Sequence, residues 1–268
     1  MARNMTAETA ARLWVDRWER QQELYATARE ERFHVVADVV AHGTRGMRRP
    51  LVADLGCGPG SLAARLADRL PHARVLAVDH DPLLLALGRA VHGDAVGFVD
   101  ARIGSGPWAA ALSAAGPLDA VVSTTALHYL PVDVLASVYE EVHGLLRPGG
   151  VLVNADHLFQ EDTAIRRLAA AVAGGHDARR GPRPPEDWRG WWAGVAADGR
   201  FADLLAEREA RGLDLGDDNG LTAQRHMELM RKAGFGAVGS VWQYGHSCVL
   251  AAVRTRPRSL PARHPEQG

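Results

Sequence analysis

The 268 residues, of which 47% are hydrophobic and 24% charged, have the composition of an ordinary soluble globular protein. A formal net charge of -1 argues against nucleic acid or an anionic membrane as a partner, because binding either of them favours an excess of positive charge. Cys57 and Cys248 form neither a disulfide framework nor a zinc spacing, and no apolar run resembles a signal peptide or a transmembrane span, so we expect a cytoplasmic protein.

The chain is predicted to begin with a helix over residues 7–42. Apolar residues between Leu13 and Tyr25 recur at a spacing of three to four, with Arg and Glu between them. Gly43 ends this pattern. We expect residues 1–45 to form a helical cap on the domain.

Short apolar runs then alternate with amphipathic stretches. The predicted strands cover residues 51–54, 74–79, 95–100, 118–123 and 151–154, and the predicted helices cover residues 61–70, 82–91, 107–115 and 132–146. Strands and helices that alternate at this spacing are typical of βαβ units around a parallel sheet. With a glycine turn after the first strand, they predict a Rossmann-like, doubly wound α/β fold.

Residues 160–220 interrupt the alternation and are predicted to form a helical lid inserted over the site. Glycine, proline and arginine dominate residues 174–185, which predicts a loop there. A short helix carrying Trp188, Trp191 and Trp192 is expected to follow, with another over residues 201–208.

The last predicted elements are a helix at 222–233 and two strands, 235–244 and 247–254, joined by a tight turn. They form an antiparallel hairpin at the edge of a mostly parallel, seven-stranded sheet. We therefore expect residues 1–254 to be a single domain and residues 255–268 to be a flexible tail.

A glycine-rich loop, Asp54-Leu-Gly-Cys-Gly-Pro-Gly60, follows the first strand. Glycine accepts positive φ and lets the backbone approach a ligand closely, and the next helix directs its amides at that ligand. The dinucleotide fingerprint needs its third glycine at position 61, which is Ser61. The acid before the first glycine favours a ligand with a charged amino acid end; a tight turn without a ligand is the alternative.

Three later strand ends carry further candidates. Asp79, at the end of the second strand, can accept both ribose hydroxyls of a nucleoside. Asp100 ends the third strand and can accept from an adenine amino group, with the Ala101 amide beside it; a surface turn is the alternative. Ser123 ends the fourth strand, beside the crevice in which such sheets bind ligands.

These stretches resemble the class I S-adenosylmethionine-dependent methyltransferases. The resemblance covers roughly residues 45–157 and lies in Val52-Ala-Asp-Leu-Gly-Cys-Gly-Pro-Gly60, Val75-Leu-Ala-Val-Asp79, the segment from Leu118 to Leu130, and Leu145-Leu-Arg-Pro-Gly-Gly150. The segment Leu127-His-Tyr-Leu130 is similar to the small-molecule branch, and the Asn-Pro-Pro-Tyr type motif of nucleic-acid and many protein amide methylases is absent.

The resemblance implies S-adenosylmethionine as the cofactor and S-adenosylhomocysteine as the product. It implies that Asp79 holds the ribose, His80 lies against adenine where the family carries an apolar residue, and Asp100 with Ala101 meets the adenine edge. Ser123 would line the methionine end through its backbone. Asp54, Gly56, Cys57 and Gly58 would surround the methionine part, and Gly60 is a further candidate cofactor-binding residue.

The candidate catalytic residues are two histidines that follow strand ends. A sulfonium methyl is already activated, so the protein mainly aligns the reactants, although a hydroxyl or carboxyl acceptor also needs a base. We favour His128 as a base or a substrate anchor, with a histidine packed on Tyr129 as the alternative, and consider His157 as well. Asp156 and His157 are too few ligands for a metal, so none is expected.

Aromatic side chains are the candidate substrate contacts. Tyr129, Trp192 and Trp242 are predicted to offer surface to an apolar or planar acceptor, although core packing explains most aromatic residues of this kind. The expected function is methyl transfer to an O, N or C atom of a small molecule, for example a secondary metabolite or a carboxylate.

Two other functions compete with it. One is a protein that binds S-adenosylmethionine without methylating, and the other is a nicotinamide oxidoreductase, against which the glycine spacing argues. The sequence leaves a monomer and a homodimer equally open.

Overall fold

A computed structural model of the chain describes residues 7–181, 186–213 and 218–255. The strands are β1 Leu51–Leu55, β2 Arg74–Asp79, β3 Val96–Asp100, β4 Leu118–Thr124, β5 Leu146–His157, β6 Ala237–Tyr244 and β7 Ser247–Val253. The helices are α1 Ala7–Gln22, α2 Arg29–Gly43, α3 Ser61–Arg69, α4 Pro82–His92, α5 Trp108–Ser113, α6 Val132–Leu145, α7 Thr163–Arg180, α8 Trp188–Ala196, α9 Ala202–Ala210 and α10 Ala223–Lys232.

The strands form one sheet in the order β3-β2-β1-β4-β5-β7-β6. The first five strands are parallel, and β7 runs antiparallel to both β5 and β6. This confirms the predicted seven-stranded, doubly wound sheet with its antiparallel hairpin. Because the strand order reverses between β1 and β4, a crevice opens at their carboxyl ends, where ligands bind in such sheets.

Helices cover both faces of the sheet, which is why β1 is buried along its whole length. Residues of α5, α6 and α10, such as Leu112, Tyr139 and Met230, pack on one face. Residues of α2 and α3, such as Phe33 and Leu62, pack on the other face. No helix in the described part of the chain is long and apolar enough to cross a membrane.

A third cluster lies outside these two layers. It joins α1, α4, α8 and α9 through apolar side chains, among them Trp14, Trp18, Leu83 and Trp191. The inserted segment and the N-terminal helix therefore share one core, which packs on the outer side of α4.

The prediction of one helix over residues 7–42 is wrong, because the structure has two helices separated at residues 23–28. Ala28 adopts a left-handed conformation with φ 52°, an unfavourable geometry for a residue with a Cβ. The break lets α1 pack on α4 while α2 packs on β5 and β7. Tertiary packing thus overrides a stretch whose composition favours a continuous helix.

The prediction of a loop over residues 174–185 is also wrong for its first part. Helix α7 continues through Gly174 and Gly175 to Arg180. Asp162 caps its start by accepting from the Ala164 and Ile165 amides. The turn at Gly245 packs against the middle of this helix, so closely that a Cβ there would lie 3.0 Å from the Ala173 Cβ.

Strand β5 is longer than predicted and covers Leu146–His157 rather than residues 151–154. It pairs with β7 from Val151 to His157, and its pairing with β4 shifts register near Leu118. The predicted flexible tail lies outside the described residues except for Thr255, as do residues 1–6 of the predicted cap.

Candidate functional site

The glycine-rich loop turns sharply between β1 and α3. Gly56, Gly58 and Gly60 all have positive φ, at 70°, 55° and 91°. A Cβ at Gly56 would overlap the Cβ of Ala126, so only glycine fits there. This close approach places the loop directly against the segment that follows β4.

The Asp79 carboxylate ties the loop to the start of α4. Its Oδ2 accepts from the Gly58 amide at 2.8 Å, and its Oδ1 accepts from the amides of His80 at 2.7 Å and Asp81 at 3.0 Å. Burial raises the pKa of Asp79 above its usual value, although these three amides oppose the rise. A carboxylate has about four lone-pair positions, so the group keeps acceptor capacity for a ligand.

Asp54 and Gln21 leave buried polar atoms unsatisfied beside the loop. Both side chains are fully buried, and neither carboxylate oxygen nor either amide atom has a partner of good hydrogen-bond geometry. Burial raises the pKa of Asp54 to about 7, although the nearby Ala63 amide opposes the rise. Gln21 shares its helix face with Trp18, whose ring lies 3.5 Å from the Cβ position of Gly58. Native proteins rarely leave such groups unpaired, so they indicate a polar ligand at the loop.

The inserted segment reaches the ends of β2 and β3 through two arginines. Arg211 donates to both oxygens of Asp100, at 2.9 and 2.8 Å, and to the His80 carbonyl at 2.8 Å. Arg208 donates to Asp81 Oδ2 at 2.7 Å. The carboxylate predicted to meet an adenine edge therefore pairs, in this structure, with a residue of the segment predicted to form a lid.

Three other predicted cofactor residues have polar groups engaged within the fold. The Ala101 amide donates to the Asp79 carbonyl at 2.9 Å. The Ser123 hydroxyl donates to the Leu55 carbonyl at 2.8 Å, and the Cys57 thiol lies 3.3 Å from the Gly58 carbonyl. These contacts fix the strand ends and the loop in their relative positions.

His128 lies in the short 3-10 turn Leu127–Tyr129 after β4 and pairs with a carboxylate. Its Nδ1 lies 2.9 Å from each oxygen of Asp156, which is fully buried on β5. Because a carboxylate accepts, Nδ1 carries the proton, and Nε2 remains available as a base. Burial lowers the pKa of His128, but the charge and hydrogen bond of Asp156 raise it more, so the net pKa is above its ordinary value.

His157 and Tyr129 adjoin this pair. The rings of both lie close to the His128 ring, with centroids at 4.4 Å for His157 and 4.0 Å for Tyr129. His157 Nε2 lies 3.0 Å from Asp218 Oδ2. His128, Asp156 and His157 bring three donor atoms within 4.8 Å of one another, a spacing that a metal ion accepts. As the side chains stand, however, Asp156 is engaged by His128 and by the His157 amide.

The two candidate tryptophans lie in other surroundings. The Arg208 guanidinium covers the Trp192 ring at 4.2 Å, and the ring packs on Trp188 and Trp191. Trp242 lies on the edge strand β6 and stacks on Tyr244. Among the described residues, no ring contact joins either tryptophan to Tyr129 or His128, so their role as substrate contacts stays a prediction.

Sequence reasoning missed several residues at this edge of the sheet. Arg32 and Gln21 lie in a charged N-terminal region in which nothing distinguishes them, and Arg211 lies in an insertion without a motif. For Asp156 a signal existed, because it ends a strand next to His157, but its pairing with His128 spans 28 residues.

Comparison with known proteins agrees with this fold. A family model described as a methyltransferase domain matches residues 52–150. A trans-aconitate 2-methyltransferase of Streptomyces avermitilis is 32% identical over 148 residues, which are 52% of this chain and 50% of that protein. The chain thus matches about half the length of such curated relatives.

Two solved structures share the fold. An O-methyltransferase family 2 protein from Planctomyces limnophilus, in complex with apigenin, has a TM-score of 0.56 at 16% identity, covering 95% of this chain and 63% of that one. Human N-acetylserotonin methyltransferase, in complex with SAM, has a TM-score of 0.52 at 16% identity, covering 96% and 61%. At these identities the likeness shows the fold alone.

Proposed function

We propose, from the premise that residues 52–150 are a methyltransferase domain of the class I S-adenosylmethionine-dependent family, that the chain transfers a methyl group from S-adenosylmethionine to a small-molecule acceptor. One observation carries the proposal. The close approach of Gly56 to Ala126 joins the glycine loop to the turn that holds His128. A nucleoside bound at this loop would therefore share one crevice with the histidine–carboxylate pair.

The residues at the loop fit the cofactor. The unsatisfied carboxylate of Asp54 matches an ammonium group in charge, and Asp79, which already accepts from three amides, retains capacity for one further donor such as a ribose hydroxyl. His80 and Asp100 stand at the ends of neighbouring strands, where the adenine would lie. When bound, the cofactor supplies a methyl group already activated by a sulfonium.

His128 is the residue best arranged to take a proton from the acceptor. Asp156 holds its Nδ1 proton, so the imidazole presents Nε2 as the basic atom and the carboxylate stabilises the imidazolium that forms. Tyr129, whose ring lies tilted against that of His128 and which is 40% exposed, would contact the acceptor. This arrangement suits an acceptor with an ionisable oxygen or nitrogen.

The test replaces His128 by asparagine, which can keep a hydrogen bond to Asp156 but cannot accept a proton at Nε2. We expect turnover to fall about 10²- to 10⁴-fold in a panel assay of S-adenosylhomocysteine formation. The dissociation constant for S-adenosylhomocysteine should stay unchanged. His34→Asn removes an exposed histidine of α2 and serves as the matched control.

The pH dependence gives a second readout. Because the pKa of His128 is raised, the turnover of the wild type should increase with pH through a value above that of an ordinary histidine. Asp156→Asn should move this limb to lower pH. If His128→Asn turned over as fast as the wild type, His128 would not be the base. If a chelator abolished the activity and a divalent ion restored it, His128 and His157 would be assigned as metal ligands instead. If the wild type binds the cofactor but none of the acceptors tested leads to loss of its methyl group, the result favours the alternative of a protein that binds the cofactor without methylating.

A further inference from the structure

Arg32, in the first turn of α2, holds a fully buried guanidinium at the carboxyl edge of the sheet. Its Nη2 donates to the Thr124 hydroxyl at 3.1 Å, and its Nη1 donates to the Ser247 hydroxyl at 3.4 Å. Its Nε is buried without any partner. Two neutral hydroxyls are thus the only acceptors found for this cation among residues that the structure describes.

No carboxylate of the described ranges forms an ion pair with Arg32. Asp156 attracts it electrostatically, but the Asp156 oxygens are engaged by His128 Nδ1 and by the His157 amide, all at 2.9 Å. Burial dominates and lowers the pKa of Arg32 to about 10, although Asp156 opposes this. Buried charges in native proteins are normally paired, so an anionic partner is missing here.

Arg29 on the same helix shows the usual arrangement. It is also buried, yet its Nη1 lies 2.7 Å from Glu19 Oε2, so its charge is neutralised within the protein. The contrast between two buried arginines one turn apart indicates that the unsatisfied guanidinium of Arg32 is a specific feature and not a general property of α2.

The two hydroxyl partners of Arg32 lie on strands on either side of β5. Thr124 ends β4 and pairs with Ala155, whereas Ser247 begins β7 and pairs with His157. The guanidinium therefore links the two strands that flank the end of β5. The segment that continues from Thr124 leads directly to Ala126, at the glycine loop, and then to His128.

We propose that Arg32 binds a carboxylate in this crevice, with the hydroxyls of Thr124 and Ser247 holding the guanidinium in place. The planar fork of donors matches a carboxylate, and the anion would complete the missing ion pair. The inference rests on the proposed function in one respect: methyl transfer offers two such carboxylates, that of the acceptor and that of the cofactor's amino acid end.

The test measures dissociation constants by calorimetry for Arg32→Gln and Arg32→Lys, with Arg29→Gln as the matched control. S-adenosylhomocysteine is compared with 5′-methylthioadenosine, which lacks the amino acid carboxylate. Trans-aconitate is compared with its trimethyl ester, with and without saturating S-adenosylhomocysteine.

We expect Arg32→Gln to weaken one carboxylate probe about 10- to 100-fold and to leave its uncharged counterpart unchanged, as the loss of a charged hydrogen-bond pair implies. Arg32→Lys should lose less, because it keeps the charge but not the fork. Arg29→Gln should affect charged and uncharged probes alike. Thr124→Val, which displaces the guanidinium without removing it, should reproduce part of the loss and serves if Arg32→Gln does not fold.

The outcomes separate the two sources and the two proposals. A loss confined to S-adenosylhomocysteine assigns Arg32 to the cofactor carboxylate, and a loss confined to trans-aconitate assigns it to the acceptor. Equal affinities of the Arg32 variants and the wild type for all four probes overturn the inference and leave the proposed function standing. A wild type that binds trans-aconitate through Arg32 but never S-adenosylhomocysteine overturns the proposed function instead.

Discussion

At the residue scale, Asp54 has the clearest consequence for solution behaviour. Its carboxyl is buried in the free protein and has a pKa of about 7, above that of an unfolded chain. This group therefore favours the folded state at low pH, and that contribution is lost as the pH rises toward 7. An ammonium ligand favours the ionised form, so its binding should release a proton below pH 7.

We therefore predict that the affinity for S-adenosylhomocysteine increases about tenfold per pH unit below 7 and levels off above it, as proton linkage requires. Calorimetry in buffers of different ionisation enthalpy measures the released proton directly. Asp54→Asn should bind more weakly at pH 8 and show no such slope. A wild type with a flat pH profile would contradict the assignment of Asp54 to the ammonium.

The same scale shows what the sequence can predict of the site. The sequence was enough to predict Asp54, the glycines and Asp79, because a loop motif is local and its chemistry follows from spacing. Arg32 could not be predicted as a site residue, because its partners Thr124 and Ser247 lie 92 and 215 residues away. The hydrogen-bond need of a buried group becomes visible only when the fold has brought the partners together.

At the scale of elements, α9 is held to the sheet by Arg208 and Arg211. Arg211 is followed by a turn and contacts the ends of β2 and β3 through His80 and Asp100. Its side chain and that of Asp100 are partly exposed, at 29% and 40%, so the pair contributes less than about 1 kcal/mol.

We predict that Arg211→Gln accelerates hydrogen exchange of the α9 amides by up to about fivefold, in line with so small a contribution, and leaves the amides of β2 unchanged. Arg200→Gln is the matched control, because the Arg200 pair with Asp198 lies within the insertion and does not reach the sheet. Equal acceleration in both variants would show that Arg211 does not hold α9 in place.

Elements also mark the limit of prediction from periodicity. The alternating strands and helices of residues 51–157 were predictable because each buried strand is a short apolar run. The break between α1 and α2 was not, since no glycine or proline marks residues 23–28. Nor was the passage of α7 through Gly174 and Gly175, because two adjacent glycines favour a loop by local propensity.

At the scale of the whole molecule, five of the seven tryptophans belong to the cluster that joins the N-terminal helix to the insertion. Trp191 is at its centre, fully buried, with ring centroids 5.0 Å from both Trp18 and Trp192. Its Nε1 donates to the Trp14 carbonyl at 3.1 Å. Tryptophan fluorescence therefore reports mainly on this cluster, whereas circular dichroism reports on all elements.

We predict that urea unfolding of the wild type gives coincident transitions by both probes, as a single cooperative unit does. Trp191→Ala should cost about 3–5 kcal/mol and move the fluorescence transition to lower urea than the dichroism transition. Trp108→Ala removes an equally buried tryptophan from the core under α5 and α6 and should shift both transitions together. Coincident transitions in Trp191→Ala would show that the cluster is not a separable unit.

The position of β7 sets the order in which the molecule can be completed during synthesis. This strand follows β6 in the chain but lies between β5 and β6 in the sheet, so β5 keeps an open edge until Val253 has been made. Pairings between segments so distant in sequence form slowly, because a long loop must close first. Ser247, which holds Arg32, arrives with the same strand. A nascent chain can therefore fold its glycine loop early, whereas the part of the crevice around Arg32 is completed only when β7 joins the sheet.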